Sequence, residues 1–206
     1  MKKLNKFEKM LLSFYGKRKY EKITSVTIGI AGCGGLGSNC AFNLVRVGFR
    51  KFIIVDFDKI EYLNLNRQFY FYNQVGKSKV KTLALNLKKI NPDIEIKTIE
   101  TKLSVSNING IFDKCDIIVE AFDKAQFKKM IAEKIIPTGK LLVSASGICG
   151  IGKSDIIKTH KIKPNFILVG DLKSDSCKVK PVSPRVNIAA AKQADIVLEY
   201  VLNNTN

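Results

Sequence analysis

Gly32-Cys33-Gly34-Gly35-Leu36-Gly37 sets its glycines in the order G-x-G-x-x-G. The apolar run Val26-Thr27-Ile28-Gly29-Ile30-Ala31 precedes it, and a stretch of helical periodicity from Asn39 to Val47 follows. Between a strand and a helix, glycines at this spacing let the backbone approach a phosphate, whose charge then sits at the positive end of the helix. A second apolar run, Phe52-Ile53-Ile54-Val55, closes on Asp56, at the distance along the chain where a carboxylate reaches a ribose. Gly32, Gly34, Gly35, Gly37 and Asp56 therefore form a candidate nucleotide site. NAD, FAD and ATP all use this fingerprint, so an NAD(P)-dependent oxidoreductase stays open beside an ATP enzyme.

Further polar residues follow in a fixed order: Asp56-Phe57-Asp58, Asn64-Leu65-Asn66-Arg67-Gln68, Gly76-Lys77-Ser78-Lys79 and Glu120-Ala121-Phe122-Asp123. Taken singly, most have plainer readings. Lys79, among many lysines, reads as a solvated surface charge, Asn64 as a turn residue and Asp123 as a helix N-cap. Arg67 is harder to set aside, because arginine stands only at positions 18, 46, 50, 67 and 185. Cys177 sits in a polar loop beside Lys178, where neighbouring lysines favour a thiolate. His160, the single histidine, has no partner by spacing and receives no role.

The elements that must hold these residues alternate along the chain. Helical patterns at Val80–Ile90, Gln126–Ile136 and Val186–Leu202 separate strand-like runs at Ile94–Ile99, Asp116–Glu120 and Leu141–Ser144. Shorter strands read at Ile156–Thr159 and Phe166–Val169, with a lysine-rich loop over Leu172–Pro184. The pattern predicts an α/β, Rossmann-like doubly wound and mostly parallel sheet, with helices on both faces and a small C-terminal extension of the sheet. Leu4, Phe7, Leu11 and Phe14 recur at helical spacing and predict one short amphipathic helix within residues 1–22. Lys6, Glu8 and Lys9 interrupt what a signal peptide would need as an apolar core.

The 206 residues suit a single domain. With no apolar run near the ~20 residues of a membrane span, the chain reads as cytoplasmic. Five cysteines without a C-x-x-C pair argue against a disulfide framework and a four-cysteine zinc site. The net charge of +17, mainly lysine, reads either as codon bias or as a surface suited to an acidic protein or nucleic acid. No RNA-recognition motif accompanies it.

In this combination, order and spacing the chain resembles the ThiF/MoeB family, bacterial relatives of the ubiquitin-activating enzymes, from roughly Ile23 to Leu202. Ala145-Ser146-Gly147 and Ser183-Pro184-Arg185-Val186 are most similar to the short ThiF-like proteins of thiamine biosynthesis. The resemblance implies a single adenylation domain, with a nucleotide-binding half over 23–139 and a carrier-docking half over 140–206. It implies adenylation, with ATP and Mg²⁺, of the C-terminal carboxylate of a small acidic sulfur-carrier protein ending in Gly-Gly. Asp56 then holds the ribose with Asp58 close by, Arg67 and Lys79 clamp the phosphates, Asn64 supports them, and Asp123 helps hold Mg²⁺.

It also implies a homodimer, whose partner arginine, if the family pattern applies, is Arg18 in Gly16-Lys17-Arg18-Lys19. Cys177 matches a loop cysteine that links covalently to the carrier in some ThiF-like enzymes. The chain lacks the zinc-binding cysteine pairs of many relatives, so no zinc is expected. A tRNA-modifying cyclase of the same superfamily and a non-catalytic module are the competing readings.

Overall fold

A computed structural model describes residues 4–175 and 178–204. Among the described residues seven strands form one sheet in the order β3-β2-β1-β4-β5-β7-β6. Strands β1 (Thr27–Ala31), β2 (Lys51–Asp56), β3 (Glu95–Glu100), β4 (Ile117–Glu120), β5 (Leu141–Ala145) and β7 (Phe166–Gly170) pair in parallel. Only β6 (Lys158–Lys163) is antiparallel, extending the sheet beyond β7. The fold class expected from the sequence is the one observed.

The apolar runs form central strands because side chains on both faces are covered. Ile28, Ile30, Phe52, Ile54, Ile117, Val119, Leu141 and Val143 face one core. That core holds residues of α2 (Lys17–Ser25), α3 (Gly35–Arg46), α4 (Lys79–Lys88) and α7 (Ser183–Asn204). Ala31, Ile53, Val55, Ile118 and Leu142 face the other, against α5 (Ile108–Phe112) and α6 (Ala125–Ile135). This period of two along each strand is the geometry of a doubly covered sheet. Helix α5, which no periodicity in the sequence predicts, fits because Gly29 has no side chain. A Cβ there would lie 2.7 Å from the Phe112 ring.

The N-terminal segment is two helices, not one. Helix α1 (Lys6–Tyr15) ends at Gly16, whose φ of 76° and ψ of 160° break the chain direction before α2. The apolar spacing was also misleading there, since Phe14 is 76% exposed. The segment is instead fastened by polar groups. Buried Glu8 pairs with Arg50 at 3.1 Å, and Asn5 caps α1 while its amide reaches Asn91 and Asp93 at 2.8 Å. No helix among the described residues is long and apolar enough to cross a membrane.

The strand order reverses between β1 and β4, the switch point outside whose carboxyl ends sheets of this class bind their ligands. Helices α3 and α7 start on this side of the sheet and pack along each other.

Candidate nucleotide-binding site

The glycine loop joins β1 to α3 at this switch point, and each glycine there answers a different constraint. Gly32 has φ +97°, and a Cβ on it would lie 3.1 Å from the carbonyl oxygen of Ala121, just past β4. Gly37 lets α3 close onto the loop, for its Cβ would fall 1.9 Å from the Gly32 carbonyl oxygen. Gly35 makes room for Val186 at the start of α7, at 2.9 Å. Only Gly34 faces space, its nearest neighbour being the Gln68 amide nitrogen at 3.8 Å. Three glycines thus serve packing and one leaves an approach open beside the first turn of α3.

Asp56 ends β2 and holds the loop in shape. One oxygen accepts the Cys33 N–H at 2.6 Å, the other the Asp58 N–H at 2.8 Å. Burial pushes its carboxyl above the ordinary carboxylate range, against the pull of these two N–H groups and of Lys79. Burial, reinforced by Asp56, pushes the Cys33 thiol far up, so this cysteine is a packed thiol and no nucleophile.

Lys79 opens α4 and is only 6% exposed, so the surface-charge reading fails. Its ammonium lies 2.8 Å from the Asp58 carboxylate, and its N–H donates to the Asp58 carbonyl at 3.0 Å. Tyr70, buried nearby, donates its hydroxyl to the Cys33 carbonyl at 2.8 Å, with the Lys79 carbonyl at 3.3 Å. A closed circuit results: Cys33 to Asp56 to Asp58 to Lys79 to Tyr70 and back to Cys33. Residues far apart in sequence are locked together around the nucleotide loop. Tyr70 was not singled out from the sequence; its position two residues past Gln68 is the only signal that could have drawn attention.

Arg67 is half-buried against the loop. Its Cγ would lie 3.4 Å from a Cβ on Gly35, and its carbonyl accepts from Asn39 of α3 at 2.8 Å. The guanidinium donates to the Leu63 carbonyl at 3.0 Å and to the Asn66 side chain at 2.7 Å. Asn64 is a buried turn residue whose side-chain oxygen accepts the Glu61 N–H at 3.0 Å. It shapes the segment that carries Arg67, as the plainer reading has it. Gln68 was part of the motif but had no assigned role. It is buried by Gly34, and its side-chain oxygen has no hydrogen-bond partner.

Asp123 follows Ala121 and Phe122, which abut Gly32, and its side chain is exposed. It does not cap α6, where Lys124 holds the cap position. Among the described residues no three His, Cys, Asp or Glu side chains are grouped to hold a metal ion. A single carboxylate such as Asp123 would be enough for Mg²⁺, which takes few protein ligands and keeps waters. Arg18 is exposed on α2, and Cys177 lies outside the described residues.

Beyond Gly35 the start of α7 is anchored by Arg185, paired at 2.5 Å with Asp171, both side chains 6% exposed. Asp171 in turn accepts the Lys173 and Ser174 N–H groups at 2.8 and 2.7 Å, setting the loop after β7 beside Gly147. The motifs Ala145-Ser146-Gly147 and Ser183-Pro184-Arg185-Val186 are therefore one packed unit on the glycine loop's flank.

Comparison with known proteins agrees with this geometry. Ubiquitin-like modifier-activating enzyme 5 of Branchiostoma floridae is 40% identical over 96 residues, 46% of this chain and 24% of that protein. The same enzyme of Drosophila persimilis is 46% identical over 81 residues, 39% of this chain and 21% of that protein. These matches thus span under a quarter of the relatives' own length. Among solved structures, tRNA N6-threonylcarbamoyladenosine dehydratase of E. coli, in complex with AMP, superposes with a TM-score of 0.80 at 17% identity. The superposition covers 94% of this chain and 91% of that one. E. coli MccB, with AMPCPP and MccA, gives 0.74 at 21% identity over 100% of this chain and 66% of that one. These two likenesses are of fold. The ThiF family model matches residues 8–205, and the chain belongs to the ThiF family.

Proposed function

We propose that the chain adenylates the C-terminal glycine carboxylate of a small, acidic, ubiquitin-like sulfur-carrier protein, preparing it for thiocarboxylation in thiamine biosynthesis. The observation that supports this best is Lys79, a buried ammonium at the glycine loop held by Asp58. A nicotinamide enzyme keeps its pyrophosphate intact and gathers no new phosphate charge during its reaction, so it gains less from a buried cation and an arginine beside the loop. An enzyme that displaces pyrophosphate gains more, because negative charge gathers on the phosphates as they leave.

In this reading the phosphates approach over Gly34, where the backbone is open and the first turn of α3 presents its N–H groups. Asp56 orients the ribose. Lys79 acts as a point charge and Arg67 as a planar fork on the phosphate oxygens. Arg67 would give up its hold on Leu63 and Asn66 to do so. The carrier's carboxylate oxygen attacks the α-phosphorus. A C–O–P linkage forms, the bond from the α-phosphorus to the bridging oxygen breaks, and pyrophosphate departs with the electron pair. Mg²⁺, when bound, neutralises phosphate charge, and Asp123 would hold it. Holding nucleophile and phosphorus in line supplies much of the acceleration.

The test is exchange of radiolabelled pyrophosphate into ATP, with and without a carrier ending in Gly-Gly. Exchange that requires the carrier supports the reading; ATP binding without exchange for any such carrier overturns it. A second reading, activation of a carboxylate on a tRNA nucleoside, is favoured by the likeness in fold to the E. coli dehydratase and by the charge of +17. It predicts tRNA binding that weakens steeply with salt.

A further inference from the structure

Glu120, the last residue of β4, is a fully buried carboxylate that the proposed chemistry does not use. Its two oxygens are densely occupied. One accepts the Phe122 N–H at 2.6 Å and the Lys128 ammonium at 3.1 Å; the other accepts Lys128 at 3.0 Å and the Ser144 hydroxyl. Lys128, from α6, sends a further hydrogen bond to the Ala145 carbonyl at 2.8 Å. One ammonium therefore joins the ends of β4 and β5 to α6. The N–H that Glu120 grips belongs to the Ala121–Phe122 peptide, whose carbonyl abuts Gly32, one residue before Asp123. Gripping it sets the direction in which the chain leaves β4, and so where the Asp123 side chain emerges.

Stability alone gives no reason for this arrangement, since apolar residues of like volume commonly serve as well as a buried ion pair or better. A hydrogen-bonded pair has direction, which an apolar contact lacks. We propose that Lys128, acting through Glu120, is a positioning residue that aims Asp123 at the metal ion on the nucleotide's phosphates. The inference rests on the adenylation reading and on Asp123 as the Mg²⁺ ligand in it.

The experiment is calorimetric titration of ATP into the full chain, in Mg²⁺ and again in EDTA, which separates the metal's contribution from nucleotide affinity itself. In the wild-type chain ATP binds more tightly with Mg²⁺. In Lys128→Met the Mg²⁺-dependent gain falls by about 10–100-fold, the scale for losing a partner that orients a metal ligand, while affinity in EDTA holds within about twofold. Lys128→Arg, which keeps the charge and several N–H donors, restores most of the gain. An unchanged Mg²⁺ gain in Lys128→Met overturns the proposal. Equal losses in both buffers also overturn it, because a merely structural role would do that. Where Lys128→Met does not fold, Ser144→Ala removes one Glu120 partner and is read by the same ratio, with an unchanged ratio counting against the proposal. Failure of the wild-type chain to bind ATP in either buffer would instead remove the adenylation reading beneath it.

Discussion

The Lys79 ammonium lies 2.8 Å from the Asp58 carboxylate, with the lysine end buried and the aspartate end half in water. Such a pair contributes little to stability, because water screens the exposed partner. It holds a cation in place beside the glycine loop. Lys79→Ala is therefore expected to lower pyrophosphate exchange by about 10²–10³, the scale for removing one charge-stabilising donor. Unfolding in urea should show a loss of about 1–3 kcal/mol, from the buried methylenes of the side chain more than from the ion pair. Near-wild-type exchange in a folded Lys79→Ala protein would remove Lys79 from the chemistry. Arg67→Ala is expected to cost on the same scale.

The glycines separate packing from ligand approach. Gly34→Ala adds a methyl group with no protein atom nearer than 3.8 Å, so the fold should be untouched. The same methyl stands where a phosphate would approach, and ATP affinity should fall at least about tenfold, or ~1.4 kcal/mol. Gly37→Ala drives its Cβ to 1.9 Å from the Gly32 carbonyl oxygen. It should destabilise the fold by about 1–3 kcal/mol or more through overpacking. Thermal unfolding beside ATP titration distinguishes the two, and equal effects would refute the division.

Much of this site was legible because strand, glycine loop and helix leave a local pattern. Gly32 through Gly37 and Asp56 could be placed from neighbours in sequence alone. The burial of Lys79 could not, since its own surroundings are lysine-rich and its partner Asp58 is 21 positions away. Asn64 shows the opposite case, where the plain reading as a turn residue describes its contacts. The Glu120–Lys128–Ser144 cluster was hidden because it closes only when β5 pairs with β4. Phe14 misled because helical spacing records a face but not whether anything covers it. Gly16 then cut the expected helix in two.

Asp56 makes stability and nucleotide binding respond oppositely to acid. Burial raises its pKa in the folded state above the ordinary 3.8. A carboxyl shifted this way adds stability below its unfolded pKa and loses it as pH rises through the folded value. Ribose binding needs the ionised form, as acceptor. ATP affinity should thus begin to fall on acidification at a pH above the ordinary carboxylate range, while this group's own contribution to stability grows. Titrations of ATP across pH 4–6.5 test the sign, with Asp56→Asn as the pH-insensitive control. In that variant one of the Cys33 and Asp58 N–H groups faces an amide, at a cost of about 1–3 kcal/mol.

Asp171 behaves in the reverse sense. Burial would raise its pKa, but the Ser174 and Lys173 N–H groups, the Ser174 side chain and Arg185 together hold it below the ordinary 3.8. Its stabilisation is therefore full above that value and is lost as pH falls through the lowered one. Arg185→Leu leaves Asp171 buried without its cation and should cost about 3–5 kcal/mol in urea unfolding at neutral pH. Because Val186 packs on Gly35, ATP affinity should fall with it. A loss of less than about 1 kcal/mol would mean the loop after β7 holds α7 without this pair.

The charge of +17 makes a prediction about encounter, distinct from chemistry. Lysines far from the glycine loop cannot reach a phosphate there, but a summed positive field would draw an acidic carrier toward the surface. If the lysines steer, the association rate should fall steeply as ionic strength rises from about 0.01 to 0.15 M, where the screening length shrinks from about 30 to 8 Å. The dissociation rate should change far less, since the docked contacts are short and less screened. Stopped-flow association with a Gly-Gly carrier measures both. An association rate indifferent to salt would show that the lysines do not guide this partner. Steep salt dependence with tRNA, and none with any carrier, would assign the same field to the nucleic-acid reading.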